Sequence, residues 1–126
     1  MMNNCVGVEF SEFIGKTFTG IDGMVAGEDV VLFRTEAETY KMHHMQDCCE
    51  SVHLEDVCGD VADLIGTPII DAREESSDAP PLDNDESYTW TFYRLSTIKG
   101  AVVLRWYGSS NGYYSEEVTV VRLNSA

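Results

Sequence analysis

The chain predicts an α+β fold: a mainly antiparallel β-sheet of about six to seven strands with one short helix packed on it. Three observations carry this expectation. Runs rich in β-branched and aromatic residues recur between glycine-rich and acidic turns. Several of these runs alternate with a period of two, which puts successive side chains on opposite faces. Only the stretch Asp60–Gly66 carries both a start and a stop signal for a helix. A length of 126 residues fits a single domain, 1-126, with one core.

In chain order, Lys16–Asp22 (KTFTGID) and Val30–Thr35 (VVLFRT) read as short strands. Thr39–Met45 alternates, with Tyr40, Met42 and His44 on one face and Lys41, His43 and Met45 on the other. Asp60 is placed to cap a helix whose apolar stripe is Val61, Leu64 and Ile65. Gly66 supplies its left-handed end, and Pro68 prevents continuation. Pro68–Ala72 then starts a strand at proline. The segment 74-87 (EESSDAPPLDNDES) is acidic, holds two prolines and lacks aromatics, so it reads as a mobile loop or hairpin tip. Tyr88–Leu95 puts Tyr88, Trp90 and Phe92 on one face and Thr89, Thr91 and Tyr93 on the other. A Lys99-Gly100 turn joins it to Ala101–Tyr107 as a hairpin. Glu116–Leu123 closes the chain, with Val118 and Val120 on one side.

The charge balance limits function. Twenty-two acidic residues against eight basic ones give −14. Duplex DNA or RNA is repelled at long range, so no direct nucleic-acid binding is expected. A small anion held by one or two arginines remains compatible with this charge, as does a basic protein partner. No apolar run is long enough to span a bilayer, and the N-terminal MMNNCVGVEF lacks a basic segment followed by an apolar one. These features read as a soluble, non-secreted protein without a membrane partner. Four cysteines in such a chain are expected as reduced thiols. A bridge between the adjacent Cys48 and Cys49 would be strained, so no disulfide framework is expected.

Residues able to do chemistry concentrate in His43–Cys58 (HHMQDCCESVHLEDVC), which holds all three histidines and three of the four cysteines. His43, His44, Cys48, Cys49 and His53 are therefore metal-ligand candidates. Their spacing argues against a metal, because His43 and His44, like Cys48 and Cys49, face apart on a strand and match no recognised ligand pattern. A cysteine nucleophile would need a stabilised thiolate, which Asp47, Glu50, Glu55, Asp56 and Asp60 oppose. Buried thiols acting as small hydrophobes are the simplest reading. No catalytic residue, metal or cofactor is assigned.

A second cluster, SYTWTFYRL with RWYGSSNGYYSE, holds both tryptophans and five of the six tyrosines. Part of it must be core. The rest can form a platform for a flat ring. Trp90, Phe92, Trp106 and Tyr113 are the candidate ring contacts, and Arg94 and Arg105 the cations placed to meet a phosphate. Arg94 shares the face of Phe92, whereas Arg105 lies opposite Trp106. Ser109-Ser110-Asn111-Gly112 is a turn whose free N–H groups could hold an anion, with Asn111 as its candidate contact.

Two stretches resemble a known family. QDCCE (Gln46–Glu50), followed by an acidic segment and DLIG (Asp63–Gly66), resembles one half of its pattern. NGYY (Asn111–Tyr114), following the hairpin at Lys99-Gly100, resembles the other. Small phage and prophage proteins share this order of segments, and the pattern is similar to Thoeris anti-defence protein one. That family comprises phage sponges that sequester cyclic ADP-ribose-type signals made by bacterial TIR proteins. The resemblance covers roughly Ile14 to Val120. It implies an antiparallel sheet with a small helix, a homodimer or higher homo-oligomer, and a ligand between protomers contacted by Phe92, Asn111 and nearby arginines. The chain departs from the pattern in its aromatic RWYGSS and its long acidic loop.

The preferred expectation is thus a phage-encoded anti-defence protein in the host bacterial cytoplasm. It would sequester a cyclic ADP-ribose isomer or cyclic oligonucleotide without catalysis. One alternative is an acidic inhibitor that mimics nucleic acid and occupies a host nuclease, as some anti-CRISPR proteins do; the −14 charge motivates it. The other is a metal- or thiol-dependent enzyme built on His43–Cys58.

Overall fold

Alternation along the strands decides the architecture. Val31, Phe33, Tyr40 and Met42 are fully buried while their sequence neighbours are half exposed, so these strands cover one face only. A computed structural model describes residues 5–77, 80–82 and 85–123. Among these residues are nine strands: β1 (Cys5–Gly7), β2 (Gly20–Asp22), β3 (Val30–Arg34), β4 (Thr39–His43), β5 (Ser51–Cys58), β6 (Asp71–Ser77), β7 (Ser87–Thr97), β8 (Gly100–Ser110) and β9 (Thr119–Leu123). They form two antiparallel sheets, ordered β1-β9-β4-β3-β2 and β5-β8-β7-β6.

Two sheets replace the single one expected because the chain changes sheet twice, between β4 and β5 and between β8 and β9. Each sheet then buries its apolar face against the other. Phe13 lies at the centre of the core, with the rings of Phe33, Tyr40, Phe18 and Phe10 at 4.8, 5.0, 5.2 and 5.4 Å. Leu54, Leu95, Val102, Leu104 and Trp106 line the wall contributed by the other sheet.

The fold is mainly β, not α+β. The helical pieces among the described residues are two 3-10 turns, Phe10–Phe13 and Val61–Leu64. The second stands where the helix was expected. Its punctuation is as read: Asp60 accepts from the Ala62 N–H at 3.0 Å, and Gly66 takes φ +86°. One turn is all that fits, because Ile65 is already extended and bridges to Phe18.

Other boundaries also move. Glu74–Ser77 completes β6 rather than opening the acidic loop, since its backbone pairs with Trp90–Tyr93. Residues 78–79 and 83–84 of that expected loop lie outside the described residues. Thr97 pairs with Gly100, so the hairpin turn is Ile98-Lys99, one residue earlier than expected. The turn at Ser109–Gly112 does not close a hairpin; the chain leaves β8 there and crosses to β9 in the other sheet.

Candidate functional site

Strand β5 is half hidden by the histidine–cysteine composition of its neighbourhood, yet it shapes the site. It pairs regularly with β8 up to Leu54, opposite Trp106, and then carries a bulge, so that Asp56 stands opposite Arg105 and Val57 opposite Leu104. Two residues, Glu55 and Asp56, occupy the place of one. Without the extra residue Asp56 would fall on the core face. With it, Asp56 meets Arg105 on the outer face, Nη1 to Oδ2 at 3.1 Å.

The outer face of β5-β8-β7-β6 is consequently ordered in rows. Register places Ser77, Trp90, Tyr107 and His53 in one row, Glu75, Phe92, Arg105 and Asp56 in the next, and Arg73, Arg94, Val103 and Cys58 in the third. Three of the five arginines of an otherwise acidic chain share this face. The Arg105 guanidinium carbon sits 5.3 Å from the Trp90 ring centre and 5.1 Å from that of Phe92, within cation–π range of both. Trp90 packs edge-on against Tyr107 at 4.8 Å.

A short arch covers one end. The Trp90 indole N–H donates to the Pro80 carbonyl at 3.0 Å, and the Leu82 N–H donates to the Tyr107 hydroxyl at 3.2 Å. Tyr107 donates in turn to Asp85. Burial, and then this bond, push the Tyr107 hydroxyl up to about 12. Beneath the arch lies an open cavity of about 550 Å³ walled by Glu55, Asp56, Pro80, Pro81, Leu82, Trp90 and Arg105. On the other side of Phe92, a hollow of about 190 Å³ is walled by Arg73, Glu75, Arg94 and Val103. Arg73 pairs with Asp71 at 2.8 Å, whereas Arg94 makes no ion pair or hydrogen bond among the described residues.

The structure therefore brings together four of the seven expected ligand contacts: Trp90, Phe92, Arg94 and Arg105. The other three lie elsewhere. Trp106 points into the core and is 1% exposed, because β8 alternates and Arg105 takes the outer face. Tyr113 stands in solvent beyond β8, edge-on to Tyr114 at 5.0 Å. Asn111 uses its side chain on the Tyr113 N–H at 2.9 Å, and Ser110 takes the Gly112 N–H at 3.0 Å. Those donors are spent within the turn. The cavity beside Asn111 is also walled by Glu50, Asp85 and Glu86, which repel an anion. Sequence reasoning missed Tyr107, Asp56 and Arg73. Tyr107 was legible as the residue two beyond Arg105; the other two needed the register.

The histidine–cysteine region is a structural knot. Cys48 and Cys49 are joined in a disulfide, against the expectation of separate reduced thiols. The bend at Cys48-Cys49 sits inside a turn held by Glu50. Glu50 is buried and accepts from the Asp47 N–H at 2.9 Å, the Cys48 N–H at 2.8 Å and Gln46 Nε2 at 3.2 Å. His44 links this turn to the segment before β9, with Nε2 2.7 Å from Glu50 Oε2 and Nδ1 2.6 Å from the Glu117 carbonyl. A carbonyl oxygen can only accept, so Nδ1 is the donor in the contact with Glu117. Burial raises the Glu50 carboxyl, but the bonds from His44, Cys48 and Asp47 outweigh it and hold the group at about 2.

His43 faces away from His44, and burial, with Lys41 nearby, lowers its basicity. His53 bonds Glu55 at 2.7 Å. Among the described residues no three His, Cys, Asp or Glu side chains converge as a metal site. Nor, among them, is any helix long and apolar enough to cross a membrane.

Comparison with curated proteins and with solved structures gives no match. Residues 11–120 match the model of a family described as Domain of unknown function (DUF7448), and the chain belongs to that family.

Proposed function

We propose that this protein binds a small phosphorylated ligand with a flat ring, of the nucleotide class, on the outer face of β5-β8-β7-β6, and holds it without chemical change. The observation that carries this reading is the guanidinium of Arg105 set against both Trp90 and Phe92, with Arg94, which has no ion pair among the described residues, one row away. A ring can lie against Phe92 beside Arg105, with Trp90, itself 4% exposed beneath the Pro80–Leu82 arch, packed behind them, and a phosphate can meet Arg94 and Arg73 beyond Phe92. Glu55 and Asp56 lie where they can accept from sugar hydroxyls. Local arginines suffice despite the net −14, since a small anion feels the nearest charges most.

The resemblance to Thoeris anti-defence protein one narrows the ligand to a cyclic ADP-ribose isomer or a related cyclic nucleotide. The role is then sequestration of an immune signal by a phage-encoded protein. The face is open on its solvent side, and the same resemblance supplies a second copy of the chain to cover it. Retention requires slow release rather than a nucleophile, and the ring nitrogens of His44 and the sulfurs of Cys48 and Cys49 are already engaged.

Calorimetry against cyclic ADP-ribose isomers, cyclic oligonucleotides and ADP-ribose tests this reading. Phe92→Ala is expected to weaken binding by about 1–3 kcal/mol, the worth of one stacked base. Arg94→Ala removes a charge-assisted interaction worth about 1.5–3 kcal/mol. Absence of heat at high micromolar ligand, or equal affinity in both variants and the wild type, contradicts it.

A further inference from the structure

The opposite face of β7 poses a different problem. Its inward side chains run from Leu95 and Tyr93, which are buried apolar residues, to Thr91, Thr89 and Ser87, which are polar. The apolar core therefore ends at Tyr93, and the space between the sheets continues past it as a cleft. Two cavities of about 310 Å³ each share Glu74, Tyr93 and Val118 in their walls. The edge strands β1 and β6, with the segment before β9, leave this corner of the sandwich open.

The cleft is strongly acidic. Glu9 and Glu74 line one cavity; Glu74, Glu116 and Glu117 line the other. Burial, and then the charges of Glu9 and Glu117, push the Glu74 carboxyl up, as expected for like charges without a counter-ion. Glu116 is fixed by the hydroxyls of Thr89 at 2.7 Å and Ser110 at 2.6 Å. Two other hydroxyls facing the space are unused. Tyr93 is 2% exposed and Thr91 8% exposed, both line the cleft, and neither side chain has a hydrogen-bond partner among the described residues. Neither oxygen is sealed from the cleft, so both hydroxyls stand open to whatever fills it.

We infer that this inter-sheet cleft is a binding site for a linear aliphatic polyamine, with ammonium groups on Glu74 and its neighbouring carboxylates and the Tyr93 and Thr91 hydroxyls completing the polar contacts. The chemistry favours this class over a metal ion, because the carboxylates are spread along the cleft and no three converge among the described residues. A methylene chain also suits the apolar parts of the wall, Phe10 and Val118, where a hydrated dication gains nothing. The site lies on the reverse of β7 from Trp90 and Phe92 and does not depend on the nucleotide reading.

Calorimetry and thermal unfolding with spermidine, 1,5-diaminopentane and Mg²⁺ at matched ionic strength test it. Spermidine is expected to bind saturably and raise the melting temperature, with 1,5-diaminopentane weaker and Mg²⁺ weaker still. Glu74→Gln should reduce spermidine affinity about tenfold, the worth of one charge-assisted hydrogen bond. Tyr93→Phe, which keeps the ring, should reduce it severalfold and serves if Glu74→Gln does not fold. The exposed Glu36→Gln, outside the cleft, controls for net charge and should change nothing. Non-saturating binding, equal effects of Mg²⁺ and spermidine, or an equal reduction in Glu36→Gln would overturn the inference.

Discussion

Deleting Glu55 should leave the protein folded, although most single deletions in strands are ruinous. Glu55 and Asp56 together occupy the place opposite Arg105, with Leu54 opposite Trp106 on one side and Val57 opposite Leu104 on the other. Removing Glu55 restores a regular ladder and keeps every remaining side chain of β5 on its present face. Among the described residues the Glu55 carboxylate bonds the His53 imidazole, and the two side chains are 37% and 30% exposed. Such a pair contributes about 0.2–1 kcal/mol. With some change in local twist, a destabilisation of about 1 kcal/mol follows, small against the roughly 5–15 kcal/mol typical of a domain.

Deleting Thr91 is the contrasting case. Strand β7 lies between β8 and β6 with no bulge to absorb the change. One half of the strand must turn over, which exposes either Tyr93 and Leu95 or the side chains paired on the other side of the cut. Exposing Tyr93 and Leu95 alone costs about 1.5–3 kcal/mol each, and Arg94 would enter the core unpaired. Urea denaturation followed by tryptophan fluorescence reads both variants. The deletion of Glu55 should shift the midpoint slightly at constant slope, and that of Thr91 should abolish the cooperative transition. A destabilisation of more than about 3 kcal/mol on removing Glu55, or normal folding without Thr91, refutes the register argument.

Other consequences follow from single side chains. Because the Glu50 carboxyl is held at about 2 against an ordinary 4.5, its stabilisation is complete above pH 4.5 and falls away as pH drops toward 2. Acid unfolding monitored by circular dichroism should show this limb in the wild type and lack it in Glu50→Gln; identical acid limbs would contradict the assignment. A Cβ at Gly108 would stand 2.9 Å from both the Cβ and the carbonyl oxygen of Glu116. Gly108→Ala should therefore cost about 1–3 kcal/mol by overpacking, measured by urea denaturation, and an unchanged midpoint would show that the segment before β9 yields freely. Phe13→Ala should cost about 3–5 kcal/mol, since Phe13 is fully buried among four rings. A cost below about 1 kcal/mol would place the centre of the core elsewhere.

Much of the fold was legible because alternation is a local signal. The faces of Thr39–His43 and Ser87–Thr97 follow from spacing alone, and the buried set Tyr40, Met42, Tyr93 and Leu95 confirms them. Strand β5 was obscured because histidines, cysteines and acids mask an alternation carried by only Val52 and Leu54 before the bulge interrupts it. The split into two sheets depends on crossings that no local pattern encodes. At the site, the shared face of Trp90, Phe92 and Arg94 was readable along one strand. The placement of Arg105 beside them required the register between β7 and β8. Trp106 was misassigned because an aromatic in a strand looks the same whether it serves the core or a surface. The use of the Asn111 side chain within its own turn, on the Tyr113 N–H, was not legible from the turn motif alone.

The binding claim is tested most directly at Trp90, which packs against Arg105 and Phe92 of the site while Trp106 lies in the core. Tryptophan emission should be followed during titration with cyclic ADP-ribose isomers in the wild type and in Trp90→Phe. Saturable quenching that disappears in Trp90→Phe is the predicted result. Emission that stays flat with every isomer, or quenching that persists without Trp90, contradicts a ligand on this face.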